Sequence, residues 1–411
     1  MKVNGIIAEY NPFHNGHKYH LEESRRELCA DYTIIAMSGN FMQRGAPAII
    51  DKYARAEMAL KNGADLVLEI PSCYAASSAE YFATGAVSLL DKLGVVDHLC
   101  FGSECGDISV LKRIAQILLD EPDKYIKSLK SNLRQGLSYP NARTWALLQY
   151  DPALSGERDV LSSPNNILGI EYLKALLRRA SNITPFTTIR VGADYHDRRL
   201  GENQSSALAI RQAVFSRQDF GFLENQMPES ACRIMTEYLK SAKPVHINDF
   251  SAALHYKLLL EKEGGYDCYL DVSPDLSDRI RRNLFGFTSF KGFCDLLKSK
   301  DTTYTRISRC LLHILLDMKN SDMESYQAMD YIPYARVLGF RRDASPLLSA
   351  IKESSSVPLV TKLADAQKLL DAPAFEMLKQ EVRNNHIYQS TLAMKSRKNI
   401  ENEFSTPIVI I

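Results

Sequence analysis

The first hundred residues alternate short apolar runs with helical stretches, and this alternation restricts the fold more than any other feature of the chain. Val3 to Ala8 (VNGIIA), Tyr32 to Met37 (YTIIAM), Leu66 to Ile70 (LVLEI) and Val96 to Phe101 (VDHLCF) each read as a strand. Between them His17 to Cys29, Asp51 to Asn62 and Ser77 to Leu93 read as helices. Strands at this spacing, separated by helices, predict parallel βαβ units. Strands that are apolar throughout, rather than alternating, predict helices on both faces of the sheet. Such sheets place their ligands beyond the carboxyl ends of the strands.

Residues 107 to 160 read as a helical insertion, clearest at DISVLKRIAQILLD. The α/β pattern then resumes, with a helix at Ile167 to Arg179, a short strand at Thr187 to Val191, a polar loop at Gly201 to Ser206 and a helix from Ala207 to Phe215. Beyond about residue 225 strand signals nearly vanish. Helices are expected at Glu229 to Lys240, Asp249 to Glu261, Ser277 to Asn283, Ser289 to Leu297 and Thr305 to Asp317. Two more, Ala364 to Leu370 and Ala374 to Glu381, are expected to be parted at Pro373. The expectation is thus a Rossmann-like parallel-sheet domain over residues 1–220 and a mainly α-helical domain over 221–411. A length of 411 residues with 45% apolar content is compatible with this division. The final TPIVII is strand-like and is expected to dock on the body.

The formal net charge of +1 says nothing about partners, because a neutral total can hide a basic face. No apolar run approaches the roughly 20 residues that cross a bilayer, and no secretory h-region follows Met1. The eight cysteines are scattered and contain no CxxC pair, which argues against a zinc cluster and for reduced thiols. A cytoplasmic protein is expected, with no membrane partner and no obligate protein partner.

The chemistry concentrates where the first strand ends. IIAEYNPFHNGHKYHL turns through Asn11-Pro12 and sets His14-Asn15-Gly16-His17 at a helix start. A helix amino terminus offers free N–H groups and the positive end of the dipole, so it binds anions. Gly16 allows close backbone approach. Two imidazoles three residues apart share one face of a helical turn and can both donate to phosphate oxygens. His14, His17 and Lys18, a nearby point charge, are therefore the candidate catalytic residues. Zinc is the competing use of HxxH, but no further ligands accompany the pair.

This stretch resembles the HxGH motif of the nucleotidyltransferase and class I aminoacyl-tRNA synthetase superfamily, the HUP-type α/β fold. SSALAIR supplies the second motif of that superfamily as Ser205, Ser206, Ile210 and Arg211. MSGNFMQRGAPAIIDKYARAEMAL, GADLVLEIPSCYAASSAEYFATGAV, FGSE, SSPNNILGIEYLKAL and YTRISRCLLHILL are in turn similar to the bacterial tRNA(Met) cytidine acetate ligase family, over nearly the whole chain. The resemblance implies ATP-dependent activation of acetate to acetyl-adenylate. It further implies transfer of the acetyl group to N4 of the wobble cytidine of elongator tRNA(Met), forming N4-acetylcytidine. ATP is then a substrate, bound by Ile7, Ala8, Glu9, Tyr10, Asn11, Pro12, Phe13, His14, Asn15, Gly16, His17, Lys18, Tyr19 and His20. Gly102, Asn165 and Arg190 are expected at the nucleotide, and Ser205, Ser206 and Arg211 at its departing pyrophosphate.

Acetate is small, so its pocket should be tight and apolar around one methyl group, although the sequence does not show which side chains form it. A Mg2+ ion would offset the charge of ATP, yet no acidic cluster identifies a metal site. Residues 277 to 310 carry eight basic residues against three acidic ones. Arg279, Arg281, Arg282, Arg306 and Arg309 are the candidate tRNA contacts, with Phe293 and Tyr304 as candidate stacking platforms. Two alternatives use the same motifs: an adenylyltransferase acting on a small phosphorylated metabolite, and a binding protein that only senses ATP.

Overall fold

The computed structural model describes residues 1–156, 158–189, 200–201, 205–217, 219–300, 302–400 and 402–411. The central sheet is built from β1 (Val3–Ala8), β2 (Tyr32–Ser38), β5 (Leu66–Ile70), β6 (His98–Ser103), β7 (Thr184–Ile189), β8 (Ala335–Phe340), β9 (Leu359–Val360) and β10 (Val409–Ile410). A small antiparallel ribbon, β3 (Phe41–Met42) and β4 (Ala46–Pro47), follows β2. The sheet order is β10-β8-β5-β2-β1-β6-β7, with β9 also on β8. The chain runs outward from β1 through β2 to β5, then returns to the other side of β1 as β6. The order therefore reverses beside β1, the point in an open α/β sheet where a crevice forms.

The apolar runs explain the layering. All five residues of β5 and six of the seven in β2 are buried. One core, on the face of the Ala79–Lys92 and Pro164–Arg178 helices, contains Ile34, Leu66, Leu68, Phe82, Phe101 and Tyr172. The other contains Ile6, Ile35, Met37, Val67 and Ile210, and lies under the Asn15–Leu28, Lys52–Leu60 and Ala207–Ser216 helices. Consecutive strand residues divide between the two cores, as a pleated strand requires. The insertion forms three helices, Ile108–Asp120, Asp123–Arg134 and Tyr139–Tyr150.

The structure differs from the expectations in three places. The segment after residue 225 is mainly helical, yet it returns three strands to the sheet. β8 pairs antiparallel with β5, and β9 and β10 pair parallel with β8. The sheet therefore runs across the expected boundary at 220. β8 (ARVLGF) hides in the sequence because it carries a charge, Arg336, which is 2% exposed. The expected break at Pro373 is instead the first turn of a 25-residue helix, Ala372–Ser396. Proline is tolerated there because the N–H it lacks has no helical partner anyway. The first helix begins at Asn15 rather than His17, with His14 as its N-cap. The tail docks as β10, where Arg342 N–H donates to the Ile411 carbonyl at 2.9 Å.

Candidate active site

His14 and His17 close the helix start reciprocally. His14 Nδ1 accepts from Gly16 N–H at 3.1 Å, and His17 Nδ1 accepts from His14 N–H at 3.3 Å. This is a capping box made with imidazoles in place of the usual hydroxyl and carboxylate. The rings stack with centroids 3.7 Å apart. With each Nδ1 accepting, a neutral ring carries its proton on Nε2 and keeps that edge as a donor. Both rings line a cavity of about 260 Å³ at the carboxyl ends of β1 and β6.

The turn before the cap is held from several sides. Arg211 donates to the Asn11 carbonyl at 2.7 Å, Asn11 Oδ1 accepts from Ile49 N–H at 3.0 Å, and Glu9 Oε1 accepts from Gln43 N–H at 2.8 Å. Tyr10 sits at φ 47° with its ring edge-on to Phe13 and His17. Its buried hydroxyl has no hydrogen-bond partner among the described residues. Burial pushes the phenol well above its ordinary value, so it stays neutral.

Opposite the histidines, Ser206 caps the Ala207–Ser216 helix by accepting from Ala209 N–H at 3.1 Å. Ser205 Oγ accepts from Gly201 N–H at 2.8 Å. Ser205, Ser206 and Arg211 all line the same cavity. Two helix amino termini and a guanidinium thus meet at one space, an arrangement suited to a polyanion.

Of the other expected nucleotide contacts, Ile7, Ala8, Glu9, Tyr10, Asn11, Gly16, Tyr19, His20, Gly102 and Asn165 line this cavity. Pro12, Phe13, Asn15 and Lys18 do not. Phe13 is fully buried in the core, and the Asn15 amide donates to the Asn225 carbonyl at 3.0 Å. Lys18 turns along the helix to Glu22, 3.7 Å away, with 44% of its side chain exposed. Arg190 lies outside the described residues. Gly102 belongs to β6, paired with Thr188. The Pro164–Arg178 helix is not capped by Asn165 or Asn166. Glu104, the last residue of FGSE, reaches the Asn165 and Asn166 N–H groups at 3.2 and 2.9 Å and the Asn165 amide at 2.6 Å. Asn166 Oδ1 accepts from Glu104 N–H at 2.9 Å in return.

Two residues that the sequence does not single out position this site. Arg55, fully buried, donates to the Glu9 carbonyl at 2.7 Å, the Ser38 carbonyl at 3.0 Å and the Gly39 carbonyl, tying the ends of β1 and β2 together. Gln226 accepts from Ser205 N–H at 3.1 Å and donates to the Gly201 carbonyl at 2.9 Å. Both act on backbone groups distant in sequence, so nothing in a motif points to them.

The basic stretch sorts by exposure. Arg282 and Arg306 are exposed, and Arg281 is half-exposed beside Asp278. Arg279 is engaged by Asp275 at 2.7 Å and by the Leu297 carbonyl at 3.0 Å. Arg309 is largely buried near Asp271, and desolvation lowers its pKa. Phe293 is fully buried and offers no stacking face, whereas Phe285 stands 82% exposed. Among the described residues, no group of three or more His, Cys, Asp and Glu side chains is placed to hold a metal ion. No described helix is long and apolar enough to cross a membrane.

Comparison with known proteins accounts for this geometry. Residues 1–403 match the HIGH Nucleotidyl Transferase family. The chain is 40% identical to the tRNA(Met) cytidine acetate ligase of Acetivibrio thermocellus and 41% identical to that of Caldanaerobacter subterraneus subsp. tengcongensis, each over 100% of both chains. The crystal structure of Thermotoga maritima TmcAL bound with alpha-thio ATP superposes with a TM-score of 0.91 at 35% identity, covering 100% of both chains. The apo form of that protein superposes with a TM-score of 0.93. The chain therefore belongs to the HIGH nucleotidyl transferase family and, within it, to the tRNA(Met) cytidine acetate ligases.

Proposed function

We propose that this protein uses ATP to convert acetate to acetyl-adenylate and then acetylates N4 of the wobble cytidine of elongator tRNA(Met) in the cytoplasm. The observation that carries the reading is the meeting of His14, His17, Ser205, Ser206 and Arg211 around one cavity where two helix amino termini converge. In the first step an acetate oxygen attacks the α-phosphorus, the bond to the β-phosphate oxygen breaks, and pyrophosphate leaves with the electron pair. The Nε2–H edges of His14 and His17 stabilise the charge that builds on the α-phosphate oxygens. Ser205, Ser206 and Arg211 receive the departing pyrophosphate. In the second step the N4 amine attacks the acetyl carbonyl, AMP leaves, and the amine loses a proton.

In this reading residues 1–220 carry the activation chemistry and 221–411 hold the tRNA, with Arg281, Arg282 and Arg306 as its accessible cations. An anticodon base suits such a site because it is unpaired and can be turned outward. Eight free cysteines suit a reducing compartment.

Incubation with ATP, labelled acetate and total tRNA, followed by nucleoside analysis, tests the proposal. The expected product is labelled N4-acetylcytidine confined to elongator tRNA(Met). Pyrophosphate exchange that requires a phosphorylated metabolite instead of acetate would replace the proposal with the small-molecule adenylyltransferase.

A further inference from the structure

The cavity has two unlike walls. The histidines, Ser205, Ser206 and Arg211 supply donors and positive charge on one side. The other side is furnished from the opposite core by Phe82 of the Ala79–Lys92 helix, Phe101 of β6, and Leu168 and Tyr172 of the Pro164–Arg178 helix. Phe82, Phe101 and Tyr172 are 3%, 5% and 5% exposed, so these three rings are almost wholly enclosed.

The aromatic wall is also unyielding. The Phe101 and Tyr172 rings meet edge to face at 5.6 Å, and Phe82 lies 6.5 Å from Tyr172. Phe101 is pressed against Gly169, where an added Cβ would stand 2.5 Å from the ring. A close-packed surface of this kind rejects extra volume, because enlarging the occupant forces several side chains off their rotamers.

We infer that Phe82, Phe101, Leu168 and Tyr172 form the acyl pocket, which receives the methyl group of acetate and sets the upper limit on chain length. The inference rests on the proposed function. A carboxylate directed at the phosphorus between the histidines and Arg211 leaves its one carbon substituent pointing away from charge, toward this wall. One feature favours acetate over the cytosine base: a methyl group needs contact area rather than hydrogen bonds. In a filled hydrophobic pocket one additional methylene changes discrimination by roughly 10–200-fold.

The test is ATP–pyrophosphate exchange without tRNA, driven by acetate, propionate or butyrate, on the parent protein and on Leu168→Ala and Phe82→Leu. Leu168 is only half-buried, so its truncation leaves the fold intact even if the Phe82 substitution does not. The parent is expected to prefer acetate over propionate by at least about tenfold. Leu168→Ala is expected to shift the propionate-to-acetate ratio of kcat/KM by about tenfold toward propionate, with KM for ATP unchanged. An unchanged ratio in an active variant overturns the assignment. So does normal acetate exchange in a variant whose KM for tRNA, read in a parallel acetyl-transfer assay with tRNA, is raised, which would make the wall a base platform. Absence of acetate-dependent exchange in the parent protein refutes the proposed function itself, a result distinct from either of these.

Discussion

In the proposed function the His14 ring serves both the backbone and the chemistry. Its Nδ1 holds the Gly16 N–H, and the proposal assigns its Nε2 to a phosphate oxygen. The two roles separate by substitution. Asparagine is a strong N-cap and restores the first role without the second. His14→Asn is expected to keep the melting temperature of the parent protein and its tRNA affinity, while acetyl transfer falls by about 10²–10³-fold. His17→Ala should lose activity comparably. A His14→Asn protein with more than about a tenth of parental turnover would remove this ring from the chemistry. The residues the proposal places at the phosphates were the readable ones, because adenylyl transfer demands particular side chains at particular backbone positions. Arg55 and Gln226 were not readable. Their side chains hold carbonyl and N–H groups of segments far away in the chain, and any helix surface carries similar residues for ordinary reasons. Phe293 was misread for the complementary reason: an aromatic side chain is equally at home in a core and on a nucleic-acid surface.

Among the elements, the loop between β3 and β4 shows how the later helices reach the site. Gly45 has φ 71°, and its Cα faces the backbone of the Tyr304–Leu315 helix so closely that a Cβ would lie 2.5 Å from the Arg309 nitrogen. Ser308 Oγ donates to the Gly45 carbonyl at 2.7 Å. Gln43 and Arg44, which line the cavity, are thus set in place by a helix some 260 residues further on. Gly45→Ala combines backbone strain with overpacking and is expected to lower stability by about 2–4 kcal/mol. Urea unfolding measures this, and a loss below about 0.5 kcal/mol would show that the loop does not depend on that helix. Strands β1, β2 and β5 could be read from apolar runs, and the order of the helices from their periodicity. β8 could not, because a buried arginine within six residues argues against a buried strand until its partners are known. The Ala372–Ser396 helix was expected to start only at Ala374 for a related reason: a proline read as a break stands in its first turn.

The whole molecule is joined by a buried set of charges. Lys52 lies 2.7 Å from both Glu69 and Glu403, and Arg336 lies 2.7 Å from Glu69 and also bonds Glu403. Glu381, from the long helix, accepts from Ser72 N–H at 2.6 Å and Ser72 Oγ at 2.8 Å. Burial alone would raise the Glu403 carboxyl, but Lys52 and Arg336 outweigh it and hold the group down to about 2. Two cations balance two carboxylates, so a third charge is unwelcome. Burial, followed by the nearby Glu69 charge, pushes Glu381 up to about 7. Above its ordinary value of 4.5 the unfolded chain ionises this group while the folded chain retains the proton until about 7. Its contribution to stability therefore falls as pH rises through that window and is level above it. Glutamine reproduces the protonated form, accepting from the Ser72 N–H while donating to its hydroxyl. Glu381→Gln is expected to be more stable than the parent at pH 8, with the gap closing toward pH 5 in urea titrations. Equal slopes in the two proteins would assign the proton elsewhere.

The sheet itself carries one further consequence. β5 is made early, and β8, the strand that covers its open side, is made near the end of synthesis. A chain still emerging from the ribosome therefore holds a long hydrophobic ladder with a free edge, the surface on which strands of other molecules add. Efficient production should depend on shielding that edge by chaperones until β8 arrives, and translation stalled before residue 335 should yield aggregates rather than a smaller working enzyme.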